Sequence, residues 1–132
     1  MRHRIFTLQE ASNLIPWVDM RLSELASVEN NLIAARHKYT ELLNRRNNNG
    51  HSSSENDIET ARKNMERFIQ DFQKILDLIS NEGILDRHVQ SGLIDFPALR
   101  EGREVYLCWI RGEDQIEFWH ETNVGYSDRQ SL

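Results

Sequence analysis

Between Glu55 and Asn81, apolar residues recur at Ile58, Ala61, Met65, Phe68, Phe72, Ile75 and Ile79, spaced 3-4-3-4-3-4. That alternation puts all of them on one stripe of an α-helix; on a strand they would scatter over both faces. A stripe of this length excludes an all-β fold and requires a second helix to cover it. Pro16 to about Arg46 supplies one. Val18, Leu25, Leu32 and Tyr39 form one row and Val28, Ala35 and Leu42 the next, with Arg21 interrupting. The expectation is an antiparallel helical hairpin with a coiled-coil seam. At ~1.5 Å per residue the first helix runs about 45 Å and projects as an arm. Ile69, Leu76 and Leu78 widen the apolar surface beyond one stripe, which argues for further cover, from the C-terminal segment or from a second copy.

Ile5 and Phe6 read as an extended lead-in. Thr7-Leu-Gln-Glu10 fits a capping box, opening a short helix to about Leu14. Pro16 suits a first turn and not a helix interior, so a bend and a new helix are expected there. The polar stretch Asn47–Ser54 is the turn between the long helices. Ser52 with Glu55, or Ser54 with Asp57, caps the next helix.

Gly83 ends that helix, and the periodicity changes. Ile84-Leu85 and Leu93–Phe96 flank a polar turn and predict a small hairpin closed by Pro97, with Ala98–Gly102 as a connection. Glu104–Arg111 and Gln115–His120 then predict a β-hairpin. With Gly112 and Glu113 at its tip, Trp109 faces Ile116, Leu107 faces Phe118 and Val105 faces His120. Tyr106 meets Trp119 and Cys108 meets Glu117 on the other face. In this register His120 lies on the apolar face and Cys108 points away from it.

Charge narrows the function classes. The formal net charge is −5, and from Gly92 onward four basic residues stand against eight acidic ones. An acidic cassette argues against binding a phosphate backbone, so no nucleic-acid partner is expected. The basic run Arg36, Lys38, Arg45 and Arg46 reads as a solvated helix face. The single cysteine, Cys108, forbids an internal disulfide and fits a reducing compartment. No signal core or membrane-length apolar run is present, so a cytoplasmic location and no membrane partner are expected.

Two kinds of site are conceivable in the cassette. His120 with Glu104 and Glu121 could ligate a metal, but no spaced ligand set accompanies them, and a hydrogen-bonded structural histidine is the simpler reading. Asp95, Arg103, Glu104, Trp119, His120 and Arg129 together could form a ligand pocket. In it Trp109 and Trp119 would be walls, with Arg100, Arg103 or Arg129 as anion clamps. The plainer alternative makes the tryptophans core anchors. Cys108, with no base beside it, reads as a buried apolar residue rather than a nucleophile. No cofactor motif is present: phosphate-binding glycine loops, nucleophile elbows and paired cysteines are all missing.

The cassette motifs Leu93-Ile-Asp-Phe-Pro97, Gly102-Arg-Glu-Val-Tyr-Leu-Cys-Trp109, Gly112-Glu-Asp, Trp119-His-Glu121 and Gly125-Tyr-x-x-Arg-Gln130 resemble a prokaryotic family known as domain of unknown function 2203. The opening Phe6-Thr-Leu-Gln-Glu-Ala11 is similar to that family's start. Asp86-Arg-His-Val-Gln-Ser91 departs from the acidic turn associated with the family at that place. The resemblance implies no established activity, substrate or cofactor.

The chain is therefore expected to be α+β: residues 1–82 a helical arm, residues 83–132 a small β cassette packed on the helix ends. The leading reading is a non-enzymatic scaffold or adaptor acting as a homodimer, its protein partner unspecified. The alternative is an anion- or metal-binding protein, possible as an enzyme, with its site around His120.

Overall fold

A computed structural model describes residues 3–49 and 54–132. The fold is α+β, with two helices packed against each other and a five-stranded antiparallel sheet at the C-terminal end. Helix α1 spans Leu8–Asn49 and α2 spans Glu55–Asn81. Strands β1 (Leu85–His88), β2 (Leu93–Arg100), β3 (Arg103–Ile110), β4 (Phe118–Glu121) and β5 (Gln130–Ser131) pair in sequence order. The chain divides into two compact units, one of Met1–Ser23 with Leu76–Leu132, the other Glu24–Ile75.

The second unit is purely helical. Leu42 packs with Ile58 and Ala61, and Tyr39 and Leu43 close around them. Ser54 caps α2, its Oγ accepting from the Asp57 N–H at 3.0 Å; the alternative cap, Ser52, lies outside the described residues. Arg46 pairs with Glu55 at 3.0 Å, and Arg62 bridges Glu59 and Glu66 along one face of α2. The seam rings Phe68 and Phe72 are only partly buried, less than a closed seam demands.

In the first unit the capping box forms in both directions. The Glu10 N–H donates to Thr7 Oγ1 at 3.0 Å and the Thr7 N–H to Glu10 Oε1 at 2.8 Å. The expected break at Pro16 does not occur, and α1 runs through it. An interior proline costs roughly 3 kcal/mol. Burying Ala11, Val18 and Leu22, which lie along one face on both sides of it, offsets that cost, since a fully buried aliphatic side chain contributes about 1.5–3 kcal/mol. The Pro16 ring itself is exposed.

Pro97 does not end its strand either. It pairs with Tyr106, and β2 continues to Arg100. Its carbonyl accepts the Phe6 N–H at 2.7 Å, so its ring nitrogen also faces away from β3. On that side β1 has already ended, at Leu85 opposite Asp95. The missing N–H therefore costs no ladder bond. Glu101 (φ 53°) and Gly102 (φ 81°) form a two-residue turn, and Arg100 pairs with Arg103 across it. The sheet's inner face carries Ile94, Phe96, Ala98, Val105, Leu107, Trp109 and Trp119, all buried. Phe6 meets Phe96 edge to face at 5.3 Å.

The β3–β4 register differs from expectation by one residue: Val105 pairs with Glu121, Tyr106 with His120, Leu107 with Trp119 and Cys108 with Phe118. The connection is not a two-residue turn. Glu113 folds back so that its Oε1 accepts the Ile110 N–H at 2.8 Å and its carbonyl accepts Trp109 Nε1–H at 3.0 Å. Ile116 turns inward and is buried. Strand β4 joins the ladder only at Phe118. Because side chains alternate, a slip of one residue exchanges the faces. His120 thus lies with Tyr106 and Cys108, and Trp119 moves to the apolar face.

Gly92 (φ 69°) joins β1 to β2 where the end of β3 comes closest: its carbonyl accepts the Arg111 N–H at 3.0 Å. A Cβ there would stand 2.5 Å from Arg111 Cβ, whereas at Gly102 it would meet open space. Gly92→Ala is expected to cost roughly 2–4 kcal/mol from backbone strain plus overpacking, and Gly102→Ala about 1 kcal/mol from strain alone. Urea denaturation of the two variants should show that ordering.

Candidate functional site

Three neighbouring strands bring one buried polar group together on the outer face of the sheet. Asp95 of β2 pairs directly with Cys108 of β3, and His120 of β4 sits opposite Tyr106, two residues along. Asp95 and His120 are each 3% exposed and Cys108 is 0% exposed. Their donor atoms all lie within 4.8 Å of one another, the one such group of three among the described residues.

His120 Nε2 stands 3.1 Å from both oxygens of Asp95, and Nδ1 stands 2.9 Å from the Glu121 carbonyl. A carbonyl only accepts, so Nδ1 carries the proton. Nε2 is then left facing a carboxylate, with either a second proton or a cation between them. Arg87 Nε donates to Asp95 Oδ2 at 3.1 Å, and its guanidinium lies over the Tyr106 ring at 5.0 Å. Tyr106 meets His120 edge to face, at 5.5 Å between ring centres.

Burial, reinforced by the Asp95 charge, pushes the Cys108 thiol up to about 12. Both imidazole nitrogens are committed elsewhere, to Asp95 and to the Glu121 carbonyl. Cys108 instead shares a hydrogen bond with the Asp95 carboxylate, and with both imidazole nitrogens directed at other groups the trio is not ordered as a Cys-His-Asp nucleophilic triad. The trio instead matches what a transition-metal ion takes: one imidazole nitrogen, one carboxylate oxygen and one sulfur. The Nδ1–H bond to a carbonyl is also the usual way a ligating histidine is oriented. Donors around one tetrahedral ion stand roughly 3.3–3.8 Å apart for bonds of ~2.0–2.3 Å, within reach of small side-chain rotations.

The six residues expected to share a pocket separate into two groups. Asp95 and His120 meet, and Arg129 lies beside Cys108, to which it donates. Arg129 is also held by Glu113 at 2.9 and 3.3 Å and stacks 3.9 Å over Phe118. Arg103 instead pairs with Glu121 at 2.7 and 3.0 Å and with Glu101. Glu104 pairs with His3 at 2.9 Å. Trp119 lies on the apolar face with Arg100 stacked 4.5 Å above it. The carboxylates of Glu104 and Glu121 thus have partners in His3 and Arg103, while His120 is grouped with Asp95 and Cys108. Trp109 is core, with its Nε1–H satisfied.

Cys108 and Arg87, which join Asp95 in the fold, were not among the expected site residues. The signal for Cys108 was the pair Glu101-Gly102: counting outward from a two-residue turn there places Asp95 opposite Cys108.

A raised thiol value makes a checkable statement. The neutral thiol contributes stability fully below its ordinary value of 9.0 and loses that contribution as pH rises toward 12. At pH 8, without added metal, iodoacetamide should label Cys108 in the folded protein at least about 100-fold more slowly than in urea, since thiolate and access are both scarce. Mass spectrometry over time reads this directly.

No curated protein and no solved structure matches the chain. A family model described as an uncharacterized conserved protein (DUF2203) matches residues 4–132. That span contains both long helices, all five strands and the Asp95–Cys108–His120 group, and the chain belongs to this family.

Proposed function

We propose that the cassette binds one divalent transition-metal ion of the zinc class through Asp95, Cys108 and His120. The observation that carries this reading is the His120 ring. Its Nδ1 is pinned on the Glu121 carbonyl while Nε2 is aimed at a buried carboxylate with a buried thiol alongside. A divalent ion would replace the proton between Nε2 and Asp95 and lower the thiol's affinity for its own proton. Three protein donors leave a fourth position open, as in sites that act on a ligand rather than only holding a fold. A reducing, cytoplasmic setting suits such a thiol.

The test is metal content and spectroscopy. Protein stripped with chelator and reloaded should take up one equivalent of Zn²⁺. Co²⁺ should give a thiolate charge-transfer band that Cys108→Ser abolishes. His120→Gln and Asp95→Asn should each weaken the ion by about 100-fold or more, and Zn²⁺ should raise Tm in the wild type but not in these variants. Sub-stoichiometric metal, or equal binding by the variants, overturns the reading.

A second reading, a homodimeric scaffold or adaptor built on the helices, is supported by the open seam. Phe68 and Phe72 are partly exposed, and Ile33 and Ile69 are 55% and 45% exposed. Sedimentation should find a dimer that Phe72→Glu dissociates; a wild-type monomer at high concentration rejects it.

A further inference from the structure

A cavity of about 400 Å³ opens directly over Asp95 and His120. We propose that it binds a small organic carboxylate with an apolar body, one carboxylate oxygen on the bound ion and the other on Arg87. The proposal rests on the cation reading above.

Charge sets the sign of the ligand. A divalent ion is neutralised by the Asp95 carboxylate and the Cys108 thiolate. Arg129 is balanced by Glu113, 2.9 Å away. Arg87, also on the cavity wall, is then left with no charge to oppose it once Asp95 is shared with the ion. The floor carries a net positive charge of about one, which favours a monoanion. Asp95 and His120 line the cavity, so the ion's open position faces into it. Arg87 gives Nε to Asp95, and its planar guanidinium has further donors beside that bond. An ion and a guanidinium side by side suit the two oxygens of a carboxylate.

The apolar lining sets the rest of the ligand. Leu93, Val124 and Tyr126 form it, and Val124 and Tyr126 are 36% and 45% exposed, apolar surface that an aliphatic or aromatic body would cover. Thr122 and Asn123 also line the cavity, but a phosphate, with more charge than the floor balances and no apolar part, would leave Leu93, Val124 and Tyr126 uncovered. The volume falls within the range of small-molecule sites, at roughly 300–1,000 Å³.

The experiment uses the full chain loaded with Co²⁺, its metal content measured independently by elemental analysis, and titrates benzoate, formate and inorganic phosphate. Benzoate should perturb the visible cobalt spectrum saturably and bind more tightly than phosphate. Arg87→Gln should keep its cobalt and weaken benzoate at least about 10-fold, with Arg87→Lys a poor substitute. Val124→Asp, away from the ion's donors, should weaken benzoate about 10-fold and leave formate nearly unchanged. If Arg87→Gln loses its cobalt, Val124→Asp alone decides. Stoichiometric cobalt whose spectrum ignores benzoate overturns the carboxylate proposal and leaves the metal site standing. Phosphate binding more tightly than benzoate overturns the ligand class. A chain that takes up no cobalt removes the cation reading, and this proposal with it.

Discussion

Two residues with positive φ, Glu101 and Gly102, decide which side chains of β2 and β3 are neighbours. A two-residue turn leaves no slack, so every pair from Arg100–Arg103 down to Leu93–Ile110 follows from it. The same pairing puts Asp95 beside Cys108 on one face and Ile94 beside Trp109 on the other. Had the turn been one residue longer, Asp95 would lie on the opposite face from Cys108 and His120. The core and the candidate site therefore depend on the same constraint from opposite sides of the sheet.

That arrangement carries a cost. A carboxylate, an imidazole and a thiol are held out of water on a small sheet, and each polar atom needs a partner. The partners are spread over the whole cassette: Arg87 from β1, the Glu121 backbone from β4, and Arg129 from just before β5. Replacing such a group with apolar side chains is often neutral or stabilising. The proposed metal site would account for its presence in a sheet that has its hydrophobic face elsewhere. The last residues are tied into it as well, since Arg129 reaches Glu113 and the Leu132 N–H donates to the Glu117 carbonyl at 2.9 Å.

Glu113 has a comparable role at the other end of the sheet. Its carboxylate satisfies the Ile110 N–H and receives Arg129, and its carbonyl receives Trp109. One residue thereby ends β3, orients a core tryptophan and tethers the C-terminal segment. This displaces the start of β4 by one residue from a tight-turn register, and so turns His120 toward Cys108.

Patterns of local origin were legible in the sequence: the α2 boundaries, the Thr7–Glu10 capping box, the Ser54 cap and the existence of β3 and β4. Each is encoded by residues three or four apart, or by strict alternation, and needs no distant partner. The resemblance to the family rested on longer motifs of the same local kind. Tertiary structure decided the rest. Pro16 stays inside α1 because burial on both sides of it outweighs one lost hydrogen bond. Pro97 stays inside β2 because β1 has ended where its missing donor points. The companions of His120 depended on a register set by a glutamate side chain folding back on its own strand. Sequence placed Asp95 and His120 among the candidates by residue type alone. Only the folded sheet could bring His120 to the face of Cys108 and turn Trp119 to the other, because a period of two turns a single-residue shift into the opposite face.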